Sequence, residues 1–575
     1  MKSNAYLMSP PLRPQISESL VAPAGVVRGA WQTTKTDGPP HNPGVYAIPM
    51  ARTTTFLAHL SLALCGAASL TFAQSPCERL QSLPLPDTTF TAVENVAAGP
   101  YLPPAAAGRG PATPAVTPPQ AAGRGGPAAG AGRGAAPPQI LPAHCRVAAT
   151  LKPSPDSDIK MEVWMPAENW NGKFQMVGNG GWAGTISFPA MASALREGYA
   201  TASTDTGHEG GNGMFALGHP EKIVDFGWRA VHETVVKSKA LVAAFYGGNP
   251  NYSYWNGCST GGRQALVEVT KFPNDFDGVL AGAPANPHIH LHASGVERAM
   301  EMMKNPQGAL SQAKVETLHN AILTACDALD GVKDGLIGDP HRCHFDPASL
   351  LCKGADSDAC LTAAQVETVR INFSDVKTKK GDVIWTGFEP GGELAYAALR
   401  MIPTQPGGGW DSIRILGHQD ADYDFHKFDL DSDVALADKA GIDALTFDLA
   451  GFKSHGGKLL LYHGWADQLI PPGNTVNFYG SVLKTMGARQ DDWIRLFMVP
   501  GMQHCSGGSG PDQFNKMAVI ERWREDGKAP EQIVAAHVTN GQIDMTRPLC
   551  PYPQVAVYKG SGSTNDAGNF SCKVK

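Results

Sequence analysis

The sequence predicts an α/β fold in which a mostly parallel, doubly wound sheet is interrupted by one large inserted lid domain. Strand-like and helix-like segments alternate from Cys145 to about residue 285, and the alternation returns near residue 456. Between them lie about 170 residues of helical stretches and turns rich in cysteine, aspartate and glycine. An insertion into one sheet explains this order better than two consecutive domains.

Apolar, β-branched runs bounded by turn residues predict the strands. Apolar positions with helical spacing predict helices at 226–246 and 262–270. The predicted strands are 147–151, 159–165, 174–177, 199–204, 252–255, 279–282, 458–463 and 494–499.

The N-terminal part of the chain has the pattern of a leader. Residues 50–73 combine a charged start, an apolar stretch and a small-residue end, which predicts a cleaved signal peptide. Residues 1–49 are then an over-extended gene start or a disordered leader, and the alternative for 56–70 is an ordinary buried helix. The other predicted segments are an N-terminal piece of the core (74–97), an Ala/Pro/Gly/Arg-rich low-complexity insertion (98–141), the first part of the core (142–285), the lid (286–455) and the second part of the core (456–575).

Composition excludes several classes of function. The 575 residues carry a net charge of -6 with no basic patch, which argues against a nucleic-acid partner. The apolar run at 56–70 is too short for a stable membrane anchor. None of the eleven cysteines forms a Cys-x-x-Cys pair, and their number indicates an oxidising compartment, so we expect a secreted or periplasmic protein. The oligomeric state is left open.

The segment Gly257-Cys258-Ser259-Thr260-Gly261 matches the Gly-x-Ser-x-Gly pattern of a nucleophile on a sharp strand-to-helix turn. It has the required context, because a strand is predicted before it and a helix after it. The alternative is a plain Gly-Ser turn. We therefore expect Ser259 to be a catalytic nucleophile.

An acid and a histidine follow Ser259 in the order that this arrangement requires. Asp467 comes directly after the predicted strand 458–463, and we expect it to orient the catalytic imidazole. His504 follows the strand 494–499 and would transfer the proton of Ser259. Asp491 and Asp492 are alternative acids, and His463 is expected to be a core histidine.

Acyl transfer also needs donors for the oxyanion. The Thr260 amide is one by its position after the nucleophile. A second should come from the glycine-rich loop after the strand 174–177, with Gly181 or Gly180 the candidates. A purely structural glycine turn is the alternative.

These motifs resemble the tannase and feruloyl esterase family, which also includes a terephthalate monoester hydrolase. The resemblance covers about Cys77 to the C-terminus, broken by the low-complexity insertion. It implies an α/β-hydrolase core, a lid between Ser259 and Asp467, and hydrolysis of esters of hydroxy-aromatic acids. The matching segments run from Gly178 to Gly184, Ser203 to His208, Trp255 to Arg263, Pro500 to Cys505 and Arg547 to Pro553.

The resemblance also implies a disulfide between Cys258 and Cys505, which would hold Ser259 near His504. Removal of Cys65 with the signal peptide leaves ten of the eleven cysteines. The short separations of the other eight make the following pairs plausible: Cys77–Cys145, Cys326–Cys343, Cys352–Cys360 and Cys550–Cys572.

The segment from Cys326 to Ile337 places three aspartates around two glycines. By composition it fits a solvated Asp-Gly turn as well as a Ca²⁺ loop, and its spacing is not that of an EF-hand. The resemblance implies a structural Ca²⁺ in the lid, bound by the carboxylates of Asp327, Asp330 and Asp334 and the carbonyls of Val332 and Leu336.

The predicted function is that of a secreted serine esterase of the tannase or feruloyl esterase type, acting on a small aromatic-acid ester. The alternatives are a terephthalate-monoester-like or other aryl esterase, a secreted serine peptidase, and a catalytically silent, calcium-stabilised binding protein. Possible acid-binding residues in the lid are Phe388, Trp410, Tyr423, Phe425 and Phe428 for ring stacking, and Arg400 or Arg414 for a carboxylate.

Overall fold

One nine-stranded sheet forms the centre of the molecule. The computed structural model describes residues 75–101 and 139–575, which belong to one compact unit. The strands are β1 (Thr88–Val96), β2 (His144–Leu151), β3 (Ile159–Pro166), β4 (Lys173–Val177), β5 (Ala200–Thr204), β6 (Tyr252–Cys258), β7 (Gly278–Gly282), β8 (Lys458–Gly464) and β9 (Ile494–Val499).

The order of strands across the sheet is β1-β2-β3-β5-β4-β6-β7-β8-β9. The pairs β1/β2, β2/β3 and β3/β5 are antiparallel, and the other five pairs are parallel. The loops that follow β4, β6, β8 and β9 therefore leave the sheet at the same edge, where ligands bind in open α/β sheets. This is the mostly parallel α/β architecture that the sequence predicts.

The predicted strands correspond to β2–β9 to within a few residues at each end, but β1 is not among them. β1 lies at the edge of the sheet and alternates half-buried with exposed positions, so that it lacks the continuous apolar run of the central strands. Its partner β2 is almost entirely buried. The first three strands form an antiparallel extension that the alternation of strands and helices does not reveal.

Helices cover both faces of the sheet and make up much of the lid. The helix predicted at 226–246 begins with a π-helical turn, Asp225–Arg229, and that at 262–270 starts two residues earlier, directly after Ser259. The longer helices are α1 (Phe188–Arg196), α2 (Ala230–Tyr246), α3 (Thr260–Lys271), α4 (His288–Met303), α5 (Gln312–Cys326), α6 (Ala363–Phe373), α7 (Leu430–Ala437), α8 (Gly473–Met486) and α9 (Lys516–Asp526).

Four helices, α4 to α7, lie between β7 and β8, in the span for which the sequence predicts the lid. Short two-stranded ladders complete the structure. They join Gly99–Pro100 to Ile140–Leu141, Val376–Lys377 to Val383–Trp385, Ile533–Thr539 to Gln542–Leu549, and Val555–Tyr558 to Phe570–Lys573.

The predicted leader and signal peptide, at 1–49 and 50–73, lie outside the described residues, as does most of the predicted insertion at 98–141. The ends of that insertion meet in the ladder between Gly99–Pro100 and Ile140–Leu141. Within 75–101 and 139–575, no helix has the length and apolarity needed to cross a membrane.

The entry and exit of the lid are bonded to each other. The side chain of Asn286 exchanges two hydrogen bonds with the backbone of Ala444, at 2.8 and 2.9 Å. The carboxylate of Asp443 accepts from the backbone N–H groups of His288 and Ile289, at 2.8 and 3.1 Å, in the first turn of α4. An acid at this position satisfies free N–H groups and complements the helix dipole. The start of α4 is thereby held in one place.

Arg263 attaches the end of the lid to the core. Its side chain on α3 is fully buried and donates to the carbonyls of Ile442, Gly227 and Phe226. The guanidinium also lies 4.6 Å from the centre of the Phe226 ring. A buried cation is tolerated where several acceptors and an aromatic face replace its hydration.

Candidate active site

The turn after β6 carries Ser259 in an unusual backbone conformation. β6 ends at Cys258 and α3 begins at Thr260, so Ser259 alone connects strand and helix. Its φ of 64° and ψ of -125° lie in a region that residues with a Cβ rarely adopt. Such a conformation exposes the serine hydroxyl at the edge of an α/β sheet.

Close backbone contacts explain the glycines around Ser259. A Cβ on Gly257 would lie 2.5 Å from the carbonyl oxygen of Gly261. One on Gly262 would lie 2.4 Å from the carbonyl oxygen of Gly282. A larger residue at either position would displace the backbone, so the sequence pattern reflects the tightness of the turn.

Asp467 lies in the turn after β8 and is fully buried. Its Oδ1 atom accepts from the backbone N–H groups of Leu469 and Ile470, at 2.8 and 2.9 Å. Its Oδ2 atom accepts from His504 Nδ1 at 2.8 Å and from His463 Nε2 at 3.0 Å. These bonds satisfy both carboxylate oxygens and fix their orientation.

The hydrogen bonds keep Asp467 ionised. Burial by itself would raise the pKa of the carboxyl, but the bonds from His463 and His504 outweigh burial and lower the pKa below that of an ordinary aspartate. The ionised carboxylate can only accept, so His504 carries its proton on Nδ1 when neutral. Its Nε2 atom is then available as a base.

His504 lies in the loop after β9, and it lines a cavity together with Ser259. Its backbone N–H donates to Gln468 Oε1 at 3.1 Å. Ser259 Oγ forms no hydrogen bond with His504 in the part of the chain that the structure describes. Such bonds often shorten only when substrate is bound.

His463 contacts the candidate site directly, which the sequence does not predict. It is a buried residue on β8, as predicted, but its Nε2 also contacts Asp467 Oδ2 and the carbonyl of Ile470. Since both partners only accept, Nε2 carries the proton and Nδ1 accepts from the Thr475 hydroxyl at 2.8 Å. The spacing of four residues between His463 and Asp467 spans a strand end and a turn, so their contact is not evident from the sequence.

The alternative acids lie elsewhere. Asp491 and Asp492 are exposed and precede β9, at the opposite end of the strand from His504. Neither is placed to contact the imidazole of His504.

The predicted oxyanion donors are neighbours. Thr260 Oγ1 donates to the carbonyl of Gly181 at 2.6 Å, and both residues line the cavity beside Ser259, whereas Gly180 does not. Among the described residues, the backbone N–H groups of Thr260 and Gly181 have no hydrogen-bond acceptor. Both groups therefore remain available to a ligand.

Five disulfides join the ten cysteines of the described residues, in the pairs that the sequence analysis gives. The bond between Cys258 and Cys505 links the residue before Ser259 to the residue after His504 across 247 positions. Cys505 has a φ of 64°, so the bond holds a turn that a residue with a Cβ rarely adopts.

The cavity has a volume of about 450 Å³ and lies between the edge of the sheet and the lid. Of the lid residues suggested for acid binding, Phe388 lines it, while Trp410, Tyr423, Phe425, Phe428, Arg400 and Arg414 do not. Trp410, Tyr423, Phe425 and Phe428 pack in another apolar cluster. The sequence did not indicate the other lining residues, and the largest group of these lies on one helix, α4: His288, Leu291, His292, Ser294, Gly295, Val296, Arg298, Ala299 and Met302.

The predicted calcium loop follows α5 and folds around its own carboxylates. Asp327 accepts from the backbone N–H groups of Asp334 and Gly335, at 3.2 and 3.0 Å, and Asp330 accepts from that of Val332 at 3.1 Å. Burial raises the pKa of Asp330 to about 6, and the neighbouring Asp334 and Asp327 add to the effect. Negative charge is therefore concentrated in a small, partly dehydrated loop.

Two cations contact the loop, because Arg547 pairs with one of its aspartates and Lys575 Nζ donates to the carbonyl of Leu329 at 2.8 Å. Arg547 pairs with Asp334 at 2.6 Å, whereas Asp327 and Asp330 form no ion pair within the described part of the chain. Several hard oxygen donors on a tightly turned loop are the donor set that Ca²⁺ prefers. The loop thus supplies oxygen donors of the type that Ca²⁺ binds.

Comparison with known proteins agrees with this geometry. The family model described as "Tannase and feruloyl esterase" matches residues 145–573. The chain belongs to the tannase and feruloyl esterase family. It is therefore a carboxylic ester hydrolase with an α/β-hydrolase core.

Three similar proteins support the assignment. An uncharacterized esterase of Xanthomonas campestris pv. campestris is 37% identical over 89% of this chain and 94% of its own length. A protein named "Probable feruloyl esterase B-2" from Neosartorya fischeri is 37% identical over 74% of this chain and 86% of its own length. The crystal structure of feruloyl esterase B from Aspergillus oryzae is 31% identical, with a TM-score of 0.76, and covers 87% of this chain and 99% of that one.

Removal of the Cys258–Cys505 disulfide should slow catalysis. We expect Cys258→Ala/Cys505→Ala to lose at least about tenfold in kcat on an aryl ester, because small displacements of reacting groups slow catalysis strongly. The matched control is Cys550→Ala/Cys572→Ala, which removes a disulfide whose cysteines do not line the cavity. Steady-state kinetics below the melting temperature of each variant measure the effect. Full activity of the first variant would show that packing alone positions the two loops.

Proposed function

We propose that the protein is a serine esterase that hydrolyses esters of hydroxy-aromatic acids through an acyl-enzyme. Ser259 is the nucleophile, His504 the general base and acid, and Asp467 the carboxylate that orients His504. The supporting observation is the 2.8 Å bond from His504 Nδ1 to a buried, ionised Asp467, with His504 and Ser259 lining one cavity.

In the first half-reaction, Ser259 Oγ attacks the ester carbonyl carbon while His504 Nε2 accepts the hydroxyl proton. The N–H groups of Thr260 and Gly181 stabilise the negative charge that develops on the carbonyl oxygen. The tetrahedral intermediate then collapses, the bond to the alkoxy oxygen breaks, and His504 returns its proton to the departing alcohol. Asp467 stabilises the imidazolium in between.

In the second half-reaction, a water molecule attacks the acyl group on Ser259 while His504 Nε2 takes one of its protons. Collapse of this intermediate releases the carboxylic acid, and the proton returns to Ser259 Oγ. The same donors at Thr260 and Gly181 act again. The net reaction converts one ester and one water molecule into one carboxylic acid and one alcohol.

The apolar lining of the cavity supports binding of an aromatic acyl group. Leu291, Val296, Met302 and Phe388 give it an apolar wall, and most of its lining is apolar. A pocket that is mainly apolar with a few polar groups is typical of sites for small aromatic ligands. The similarity to proteins named feruloyl esterase supports the same class of substrate.

One observation favours a second candidate, a monoester of an aromatic dicarboxylic acid. Arg298 lines the cavity, is 7% exposed, and forms no ion pair within the described residues. Its hydrogen-bond partners are the neutral Ser294 hydroxyl and the carbonyls of Ser374 and Thr386. A carboxylate on the substrate would compensate this charge. Faster turnover of monomethyl terephthalate than of methyl ferulate would favour this candidate.

We also infer a calcium ion in the loop after α5, which would brace the lid rather than take part in the reaction. The family resemblance and the concentration of oxygen donors support it. Its ligands would be the carboxylates of Asp327, Asp330 and Asp334 and the carbonyls of Val332 and Leu336.

The disulfides support a location outside the cytoplasm, where thiols are oxidised. We propose that the chain is exported, to the periplasm or beyond, after cleavage of a signal peptide at 50–73. N-terminal sequencing of the exported protein would check this, and an intact Met1 would contradict it.

The central prediction concerns Ser259. We expect wild type to react with a fluorophosphonate probe and to hydrolyse methyl ferulate or methyl gallate, and Ser259→Ala to lose both properties, because the probe requires an activated serine. Ser506→Ala, which changes an exposed serine in the His504 loop, is the control for labelling. A labelled protein that hydrolyses no aryl ester would exclude the proposed substrate class. Absence of labelling would favour the silent binding protein.

His463 should act by positioning Asp467. His463→Leu removes the donor to Asp467 Oδ2, and we expect a fall in kcat of roughly tenfold with little change in KM. His463→Gln can keep a donor near the position of Nε2 and should recover part of the loss. Circular dichroism and melting curves check that both variants fold. Equal kinetics for the leucine and glutamine variants would show that the hydrogen bond has no role.

Calcium removal should destabilise the protein. A chelator is expected to lower Tm by several degrees, and added Ca²⁺ to restore it, because a ligand bound only to the native state stabilises it by mass action. Asp330→Asn should bind less Ca²⁺ and show little response to the chelator, whereas Asp358→Asn, at an exposed acid elsewhere in the lid, should behave as wild type. Atomic emission and differential scanning calorimetry measure content and Tm. No metal and no change in Tm would refute the site.

A further inference from the structure

Two exposed apolar side chains line the cavity. Leu469 is 61% exposed and Met401 is 66% exposed, whereas Val296 and Met302, which line the cavity from α4, are buried. Leu469 and Met401 therefore lie where the cavity opens to solvent. A large apolar side chain in such a place gains free energy when an apolar part of a ligand covers it.

Leu469 lies in the turn that orients the catalytic imidazole. Its backbone N–H donates to Asp467 Oδ1 at 2.8 Å, and Asp467 Oδ2 accepts from His504 Nδ1 at 2.8 Å. The side chain of the preceding residue, Gln468, accepts from the backbone N–H of His504 at 3.1 Å. Two sets of hydrogen bonds thus hold the turn of Leu469 against the loop of His504.

The side chain of Leu469 is not needed to hold this turn. The hydrogen bond of Leu469 to Asp467 uses its backbone, which any residue except proline provides. The next residue, Ile470, is 3% exposed and packs with Ala285 and Trp385 in an apolar cluster. Ile470 therefore anchors the turn in the core, while the side chain of Leu469 remains available to a ligand.

The reaction determines which part of the ester lies near His504. The carbonyl oxygen has to face the backbone N–H groups of Thr260 and Gly181, which stabilise its developing charge. The alkoxy oxygen has to lie within reach of His504 Nε2, which protonates it as the alcohol departs. The alcohol part of the ester therefore extends to the His504 side of the cavity, where Leu469 is held.

We propose that Leu469 forms an apolar subsite for the alcohol part of the ester, so that the enzyme favours esters of apolar alcohols. An alkyl chain on the alkoxy oxygen would cover the Leu469 side chain and remove apolar surface of both from water. A polyol would gain less there, because its hydroxyl groups prefer water to an apolar surface. This inference rests on the proposed function and adds to it the selectivity for the leaving group.

The test compares two esters of the same acid. We define the preference as the ratio of kcat/KM for butyl ferulate to that for methyl ferulate. Wild type should show a preference of roughly fivefold or more, because a butyl group adds methylene groups that contact Leu469. Leu469→Ser should lower the preference at least about threefold. Leu469→Met keeps an apolar side chain of similar volume and should retain most of the preference.

The matched control is Leu445→Ser, since Leu445 is 49% exposed and does not line the cavity, so that its replacement should leave the ratio unchanged. A wild-type ratio of one or less, or an unchanged ratio in Leu469→Ser, overturns the inference while leaving the esterase intact. A lower ratio in Met401→Ser but not in Leu469→Ser also overturns it, because the alcohol would then lie against the lid.

Hydrolysis of neither ester by wild type would instead contradict the proposed function, on which the inference rests. Because the readout is a ratio, a general loss of activity or of folded protein cannot imitate the expected result.

Discussion

The geometry of the candidate site depends on one covalent bond, between Cys258 and Cys505. It closes a loop of 247 residues that contains the whole lid, and each cysteine is the immediate neighbour of a residue of the site. A disulfide reduces the number of conformations open to the unfolded chain. In the folded protein, it also keeps the loops of Ser259 and His504 next to each other. The bond therefore restrains the two loops that carry these side chains.

Asp467 is the second constraint, and it depends on hydrogen bonds rather than covalent bonds. Two backbone N–H groups hold Oδ1, while His463 and His504 share Oδ2. Burial would favour a neutral carboxyl, but the hydrogen bonds from His463 and His504 outweigh it, lower the pKa of Asp467 and keep the carboxylate charged. The ring of His504 is thereby oriented by the Asp467 carboxylate, and its backbone is restrained by the disulfide at the neighbouring Cys505.

Local patterns in the sequence were sufficient to predict the sheet from β2 to β9 and the order of Ser259, Asp467 and His504. Those features depend on short-range signals, a strand, a tight turn and a helix, that lie next to each other in the chain. β1 was missed because an edge strand is only half buried, and the contact of His463 with Asp467 depends on the shape of a turn. Arg400 and Arg414 have the right chemistry for an acid-binding role, but the lid folds so that neither lines the cavity.

The core and the lid meet at the start of α4. Ala285 binds the backbone of Ser259, and Asp443, at the end of the lid, binds the backbone of His288. The start of α4 is thus bonded both to the backbone of Ser259 and to the end of the lid. Further along α4, Gly295, Ala299 and Met302 line the cavity, so that residues of this helix set its shape. The same helix therefore joins the core to the lid and forms part of the cavity wall beside Ser259 and His504.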